Sequence, residues 1–369
     1  MSSQMIQHGI AVKRRVRPVA SSQGPWPTVS VVIPCYNYAE YLPLAIESVL
    51  SQQDVEVNII IVDDASTDHS LAVARAAAAA DSRIAAIAHQ RNQGPVDTFN
   101  DGLAQARGEF VVRLDADDLL TPGALARATA VMRQHPSVGL VYGHPLHFEG
   151  EKLPRPRQRP SAWTLWPGLV WLTDRCRTGF NVITSPEVVM RSSVVAKVGG
   201  QRPLAHTHDM EMWLRISAVS DIAYIHGADQ AWHREHPKSL SARKVDNYRD
   251  IVERHLAFET LFSDPVCSRL ELAGLREIAA AAVARSAVRA AIHCCYHGQA
   301  GSPLADSYLG LAGSMVADVM ALPEWRTLAR RALADPRKVS RNPAVLFDRV
   351  AGRMASAWRW RRWHREGVF

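Results

Sequence analysis

Three carboxylates, Asp115, Asp117 and Asp118, fall within four residues at the end of a short apolar run from Phe110 to Leu114. The run reads as a buried strand, and one face of a sheet cannot bury that much like charge unpaired. The acids are therefore expected at the strand's C-terminal end, the edge where open α/β sheets bind ligands. Hard oxygen donors at this spacing suit Mg²⁺ or Mn²⁺, and such ions commonly also hold substrate phosphates. The competing reading is a solvated acidic turn, with Asp118 and Thr121 capping the helix that follows. A second acid-tipped run weighs against it, because Val57–Val62 leads into Asp63 and Asp64. A solvated turn accounts for one such strand end more easily than for two.

The elements around these acids alternate. Val29–Ile33 is the first buried strand, and Pro34-Cys-Tyr-Asn37 is the loop after it. Tyr41–Gln53 is an amphipathic helix with Leu42, Ala45, Ile46, Val49 and Leu50 on one stripe. A helix over Ser70–Ala80, a weaker strand over Ile84–Ala88 and a helix over Val96–Ala106 come before the acidic strand. A helix from Thr121-Pro122 and a strand over Val138–Tyr142 come after it. This alternation predicts an α/β fold, Rossmann-like, with a mostly parallel sheet and right-handed crossovers. The dinucleotide fingerprint of such folds is absent. Residues 150–168, rich in Pro, Arg and Trp, read as an irregular flap, and Val182–Arg191 as a strand. Asp209–Val219 reads as a helix, Trp232–Ser241 as a polar loop, and the chain from Val245 onward as helical. The expected parts are a disordered basic tail over 1–26, an α/β domain over 27–245 and a helical region over 246–369.

The net charge of +7 sits at the ends. Arg326–Phe369 holds 12 Lys/Arg against 3 Asp/Glu, and the first 25 residues hold Lys13, Arg14, Arg15 and Arg17 with no acid. The body between them is net acidic, which argues against a nucleic-acid groove through it and for basic ends that meet an anionic surface. The five cysteines show no CxxC spacing and no even pairing, as expected of a reduced cytoplasmic protein. His293-Cys-Cys-Tyr-His297 puts both histidines on one helical face but turns the cysteines apart, which is poor geometry for zinc. No secretory signal peptide and no uninterrupted membrane span are read in the chain.

Seven blocks in order resemble family 2 glycosyltransferases of the GT-A fold, over roughly Thr28–Ser241. They are Val29–Asn37 with Tyr41-Leu42; Ile61-Val-Asp-Asp-Ala-Ser-Thr-Asp68; Arg91-Asn-Gln-Gly94 with Asn100 and Gly102; Gly108-Glu109 with Leu114–Asp118; Met190-Arg191 with Val198-Gly-Gly200; His208–Arg215; and His236–Ser241. The resemblance implies an inverting enzyme that moves a sugar from a nucleotide-diphospho-sugar to the hydroxyl of a saccharide or lipid-linked acceptor, in cell-surface polysaccharide or glycolipid synthesis. It implies Mn²⁺ or Mg²⁺ on the leaving diphosphate, held by Asp117, Asp118 and His236. Asp115, Asp117 and Asp118 fall in the family's DxD position, whose acids bind the metal and the ribose, and the resemblance does not say which of the three touches the metal directly. Asp64 matches the acid that meets the base, which favours UDP- or dTDP-sugars. Pro34, Tyr36, Asn37 and Arg91 join the nucleotide site. Asp209 matches the general base, with Glu211 the weaker candidate, pointing away around the helix. His208 stands where many members have an acid. Other histidines, among them His206, His226 and His233, compete for the role given to His236.

The tail carries Trp358-Arg-Trp-Arg-Arg-Trp363, with Phe347, Val350, Met354 and Trp358 at spacings of three or four. Interfacial helices show this pattern, so an anionic membrane surface is an expected partner. Packing of the tryptophans on the chain's own helices, or at a homodimer contact, is the alternative. Two other function classes compete. The first is a catalytically inactive GT-A protein that keeps nucleotide-sugar binding but has lost transfer, against which all the candidate acids are present. A nucleotidyltransferase would need a glycine-rich basic loop where Pro34-Cys-Tyr-Asn37 stands.

Overall fold

β-Branched runs form the centre of the sheet. Val29, Val31, Val32 and Ile33 of β2 (Thr28–Cys35), and Ile59 and Ile61 of β3 (Glu56–Asp63), are fully or almost fully buried, as runs covered on both faces should be. The computed structural model describes residues 10–19, 24–237, 246–267, 272–297, 299–332 and 343–368. The chain divides into two units. The first takes the residues through Leu172, Ile183–Leu204 and His208–Ala242, and the second takes Thr173–Val182, Ala205–Thr207 and Arg243–Phe369.

In the first unit, β4 (Ile84–Ala88), β3, β2 and β5 (Phe110–Arg113) lie side by side and parallel. The helices α1 (Leu42–Leu50), α2 (Ser70–Ala80) and α3 (Pro95–Gln105) connect them, as the alternation predicts. α3 lies close on the sheet at Gly102, where a Cβ would come 2.4 Å from Val32 Cγ1. Past β5 the sheet becomes mixed. The short β9 (Val189–Arg191) runs antiparallel between β5 and β7 (Val138–Phe148). β10 (Asp221–Arg234) is parallel to β7, and β8 (Ala162–Trp166) is antiparallel to β10. β1 (Arg14–Val16) closes the edge against β8, and β6 (Leu119–Leu120) pairs with the far end of β10. The helices α4 (Ala124–Gln134), α5 (Gly168–Thr178), α6 (Ser192–Val198) and α7 (His208–Val219) complete the framework.

Five expectations are corrected. Part of the basic N-terminal stretch is ordered, because β1 pairs with β8 and the Ile10 amide donates to Asp221 Oδ2 at 2.8 Å. The flap contains β8, whose Trp163 and Trp166 are core residues rather than loop residues. Within Val182–Arg191 only the last three residues are strand. Trp232–Arg234 belongs to β10, while residues 238–241 of the expected loop lie outside the described residues. β10 is hidden in the sequence by polar residues that are buried with partners. His226 meets Thr164 at 2.6 Å, and Asp229 takes Arg157 and His144. Gly227, at φ 80°, allows the strand to bulge there, where a Cβ would crowd Ser161. The helix expected from Thr121 starts at Ala124. Thr121 Oγ1 bonds the Asp229 carbonyl at 2.5 Å rather than capping a helix.

The second unit is helical: α8 (Asn247–Ser263), α9 (Ala273–Tyr296), α10 (Pro303–Met315), α11 (Trp325–Ala332) and α12 (Pro343–Glu366). Asp246 caps α8 by accepting the Arg249 amide at 2.8 Å. Residues Gly274–Tyr296 of α9 are long and apolar enough to cross a membrane. The helix is nevertheless packed by α8, α10 and α11. Arg276 pairs with Glu259, and Arg285 and Arg289 pair with Glu324, which suits a core helix of the unit.

Candidate active site

β2 lies between β3 and β5, with Cys35 opposite Asp63 and Val32 opposite Arg113. The loops that follow these strands therefore meet at one edge, and Asp64 and Asp115 leave strands two spacings apart, roughly 10 Å. Asn37 ties the first two loops together. Its Oδ1 accepts the amides of Thr67 at 2.7 Å and Asp68 at 3.2 Å, and its own amide donates to Ser66 Oγ at 3.0 Å. Asn37 sits at φ 61°, a conformation asparagine tolerates better than most residues. Between these loops Tyr36 stands 44% exposed, so its ring face is open to stack on a planar ligand. Pro34, the penultimate residue of β2, lies opposite Val62.

Asp64 is 3% exposed, and its two oxygens accept the Gln93 and Gly94 amides at 2.7 and 2.8 Å and meet His89 Nδ1 at 2.8 Å. The carboxylate thus holds the Arg91–Gly94 loop against the end of β3, with Arg91 itself exposed. Its neighbour Asp63 is fully buried. Asp63 Oδ2 accepts the Ser66 amide at 3.0 Å, whereas Oδ1 has no partner.

The three acids of the central motif have three different environments. Asp115 is partly exposed and held by Arg113 Nη2 at 2.9 Å. Arg113 reaches on to Gln201 Oε1 at 3.2 Å, and Asn100 brackets the Gln201 backbone at 2.8 and 2.9 Å. Asp117 points the other way and meets His236 Nε2 at 2.8 Å, across 119 residues of sequence. Tyr38 also hydrogen-bonds Asp117. Burial, followed by the nearby carboxylates, pushes the Tyr38 ionisation far above its usual range, so the hydroxyl stays a donor. The Tyr38 ring lies edge-on to His236, with centroids 6.0 Å apart. Asp118 is 1% exposed, with Oδ1 on the Arg234 amide at 2.8 Å and Oδ2 on His233 Nδ1 at 3.1 Å. Burial raises Asp118 to about 6. Burial also disfavours charge on His233, but the facing Asp118 carboxylate outweighs this and raises the ring to about 9.

The structure therefore brings Asp117 and His236 together and gives Asp118 other partners. Among the described residues no group of three or more His, Cys, Asp or Glu side chains could hold a metal ion. One carboxylate and one imidazole suit Mn²⁺ or Mg²⁺ when substrate phosphates and water fill the remaining positions. Arg234 supports the pair from beneath. It donates to the Asp117 carbonyl at 3.1 Å and lies between the Tyr41 and Phe148 rings, 4.6 and 4.5 Å from their centroids.

Asp209 lies in the first turn of α7 and is half-buried, with Oδ1 on the Met210 amide at 2.6 Å. α7 turns at Ser220 into β10, and a helix feeding such a strand packs antiparallel to it. Asp209 thus lies toward the edge where the acid-tipped strands end. Glu211 is fully buried and bound by Arg215 at 2.6 Å, while Arg215 also bonds the Val198 and Gly200 carbonyls. Glu211 therefore braces the turn after α6. The backbone amide of His206 bonds Glu253 at 2.9 Å. Glu187 is buried and accepts the Thr184 and Ser185 amides at 2.6 and 3.1 Å. It fastens Ser185 at φ 148°, and burial raises its carboxyl to about 7.

The roles of Tyr38, Arg113 and Arg234 were missed in the sequence. Arg113 was the most findable, since two residues along a strand share a face and Arg113 precedes Asp115 by two.

Residues 30–197 match the model of the family described as glycosyl transferase family 2. The chain is 34% identical over 231 residues to a chondroitin synthase of Escherichia coli, covering 62% of this chain and 32% of that protein. Matched segments take in 35% and 28% of the length of two further curated relatives. Among solved structures, S. aureus TarS 1–349 in complex with UDP-GlcNAc superposes with a TM-score of 0.57 at 17% identity, over 85% of this chain and 90% of that one. The mannosyltransferase PcManGT from Pyrobaculum calidifontis, in complex with GDP-Man and Mn²⁺, gives a TM-score of 0.50 at 18% identity, over 88% and 90%. At these identities the two structures speak to the fold alone, which is that of GT-A enzymes.

Proposed function

This chain belongs to glycosyl transferase family 2, and on that premise we propose that it transfers a sugar, with inversion, from a nucleotide-diphospho-sugar to an acceptor hydroxyl. The observation that carries the reading is the meeting of Asp117 and His236 at 2.8 Å, beside the loops that follow β2 and β3. Tyr36 stacks on the base, and the Asn37–Asp64 framework shapes the pocket around it. UDP or dTDP is the favoured carrier, in keeping with the UDP-GlcNAc bound to TarS. Asp115, oriented by Arg113, accepts from the ribose hydroxyls. Asp117 and His236 would hold the divalent cation, Mn²⁺ or Mg²⁺, which would supply positive charge for the leaving diphosphate. Asp118 keeps its contacts to His233 and Arg234 and positions Asp117 through the backbone. Asp209 takes the proton of the acceptor hydroxyl as that oxygen attacks the anomeric carbon from the face opposite the diphosphate. The N-terminal turn of a helix is a favourable place for a carboxylate.

The acceptor is a saccharide or a lipid-linked saccharide in cell-surface polysaccharide or glycolipid synthesis, a reading supported by the chondroitin synthase relative. The five buried free cysteines suit work in the reducing cytoplasm. The test is nucleotide release from a panel of UDP- and dTDP-sugars, with and without Mn²⁺. Release with at least one donor, lost in Asp209→Asn, is expected. Tight nucleotide-sugar binding without release in any combination would favour a binding protein instead.

A further inference from the structure

α12 has two unlike faces. At 100° per residue, Trp363 lies opposite Met354. Trp363 is 6% exposed, and its indole N–H donates to the Val182 carbonyl at 2.8 Å. Arg359, one turn back, lies over the Phe180 ring of the same unit. The other face carries Phe347, Val350, Met354 and Trp358 within an arc of roughly 80°. These side chains are 71%, 46%, 67% and 61% exposed. Arg361 and Arg365 continue the same arc, with Arg365 82% exposed, and Arg362 lies 5.6 Å over the Trp358 ring. An apolar stripe of this size left open to water calls for a partner.

The geometry points to an anionic lipid bilayer as the occupant of this face. Charge decides between partners. The segment Arg326–Phe369 carries 12 Lys/Arg and 3 Asp/Glu, so a second copy of the face would meet it with like charge. A bilayer of acidic lipids accepts both halves of the face. Phe347, Met354 and Trp358 enter the acyl boundary, and Arg361 and Arg365 reach the phosphates. With Trp363 engaged on the inner side, the helix lies along the surface rather than across it.

The test is flotation of the full chain with phosphatidylglycerol–phosphatidylcholine vesicles against phosphatidylcholine alone. The wild type is expected to float with the acidic vesicles only, and less so at high salt. Arg361→Glu/Arg365→Glu lowers the partition coefficient by roughly thirtyfold or more, and Phe347→Ser/Met354→Ser/Trp358→Ser by roughly tenfold or more. All of these side chains are exposed, so melting temperatures stay at the wild-type value. Failure of the wild type to float, or flotation of both variants equal to that of the wild type, overturns the inference. A concentration-dependent dimer that the triple variant abolishes, with no vesicle binding by the wild type, also overturns it in favour of a second copy. Nucleotide release in the absence of vesicles tests the transferase reading separately.

Discussion

Asp117→Asn is the sharpest single perturbation of the proposed site. The substitution keeps the shape and one oxygen for the Tyr38 hydroxyl and His236, and it removes the charge. In the unliganded protein two effects oppose each other. Charge-assisted hydrogen bonds, worth about 1.5–3 kcal/mol each, become neutral ones worth roughly 1 kcal/mol. Repulsion from Asp115 and Asp118, two residues and one residue away, is relieved at the same time. Stability should therefore change by no more than about 2 kcal/mol. In the proposed transition state that relief does not help, because among the described residues the carboxylate and His236 are the two groups proposed to hold the cation. Loss of a group that stabilises developing charge costs about 3–4 kcal/mol, a factor of roughly 10²–10³ in kcat. Nucleotide release measured across a Mn²⁺ titration, beside a thermal melt, separates the two. A folded Asp117→Asn protein that keeps activity within about threefold at limiting Mn²⁺ would refute the reasoning.

Three further outcomes follow from the same contacts. Tyr36→Ala, at an exposed position, should leave the melting temperature unchanged and raise the donor KM by roughly tenfold through lost base stacking of about 1–3 kcal/mol, as read by steady-state kinetics. Gly102→Ala should destabilise the first unit by about 1–3 kcal/mol in denaturant unfolding, because its Cβ would strike Val32 in a packed sheet. Glu187 is raised by burial to about 7 in the folded protein, above its value in the unfolded chain. The folded state therefore keeps a proton that the unfolded state releases, so stability falls as pH rises from about 4.5 to about 7 and levels off above that. The slope is worth roughly 3 kcal/mol across the window. Glu187→Gln should flatten it in urea unfolding followed from pH 5 to 8.

Sequence pattern located the parallel half of the sheet because β2 and β3 are buried on both faces and five of the eight residues in each are β-branched. Their acidic ends were equally legible, since three carboxylates have few places to go other than a strand terminus. The mixed half was not legible. Of β10 only Trp232–Arg234 falls in a stretch read as a loop, and the rest carries no strand reading because His226, Asp229 and Gln230 look solvated; only tertiary partners such as Thr164, Arg157 and Asp118 make these residues and Arg234 part of the core. β8 reads as a flap because its tryptophans stand among prolines and arginines. In the site, resemblance named Asp117 and His236, but the separation of Asp118 from them follows from side-chain direction at the end of β10. Periodicity carries no information on that. The tryptophans of the tail have unlike surroundings. Trp363 packs on its own unit, as the alternative reading had it, while Trp358 lies on the open face.

The account rests on segments far apart in the chain serving one ligand. A crystal structure with an unreacted UDP-sugar analogue and Mn²⁺ tests this most directly. The account predicts the base against Tyr36, the cation between the diphosphate and the Asp117–His236 pair, and the Asp209 carboxylate facing the anomeric carbon on the side away from the diphosphate. A nucleotide bound elsewhere, or a cation held without Asp117, would contradict it.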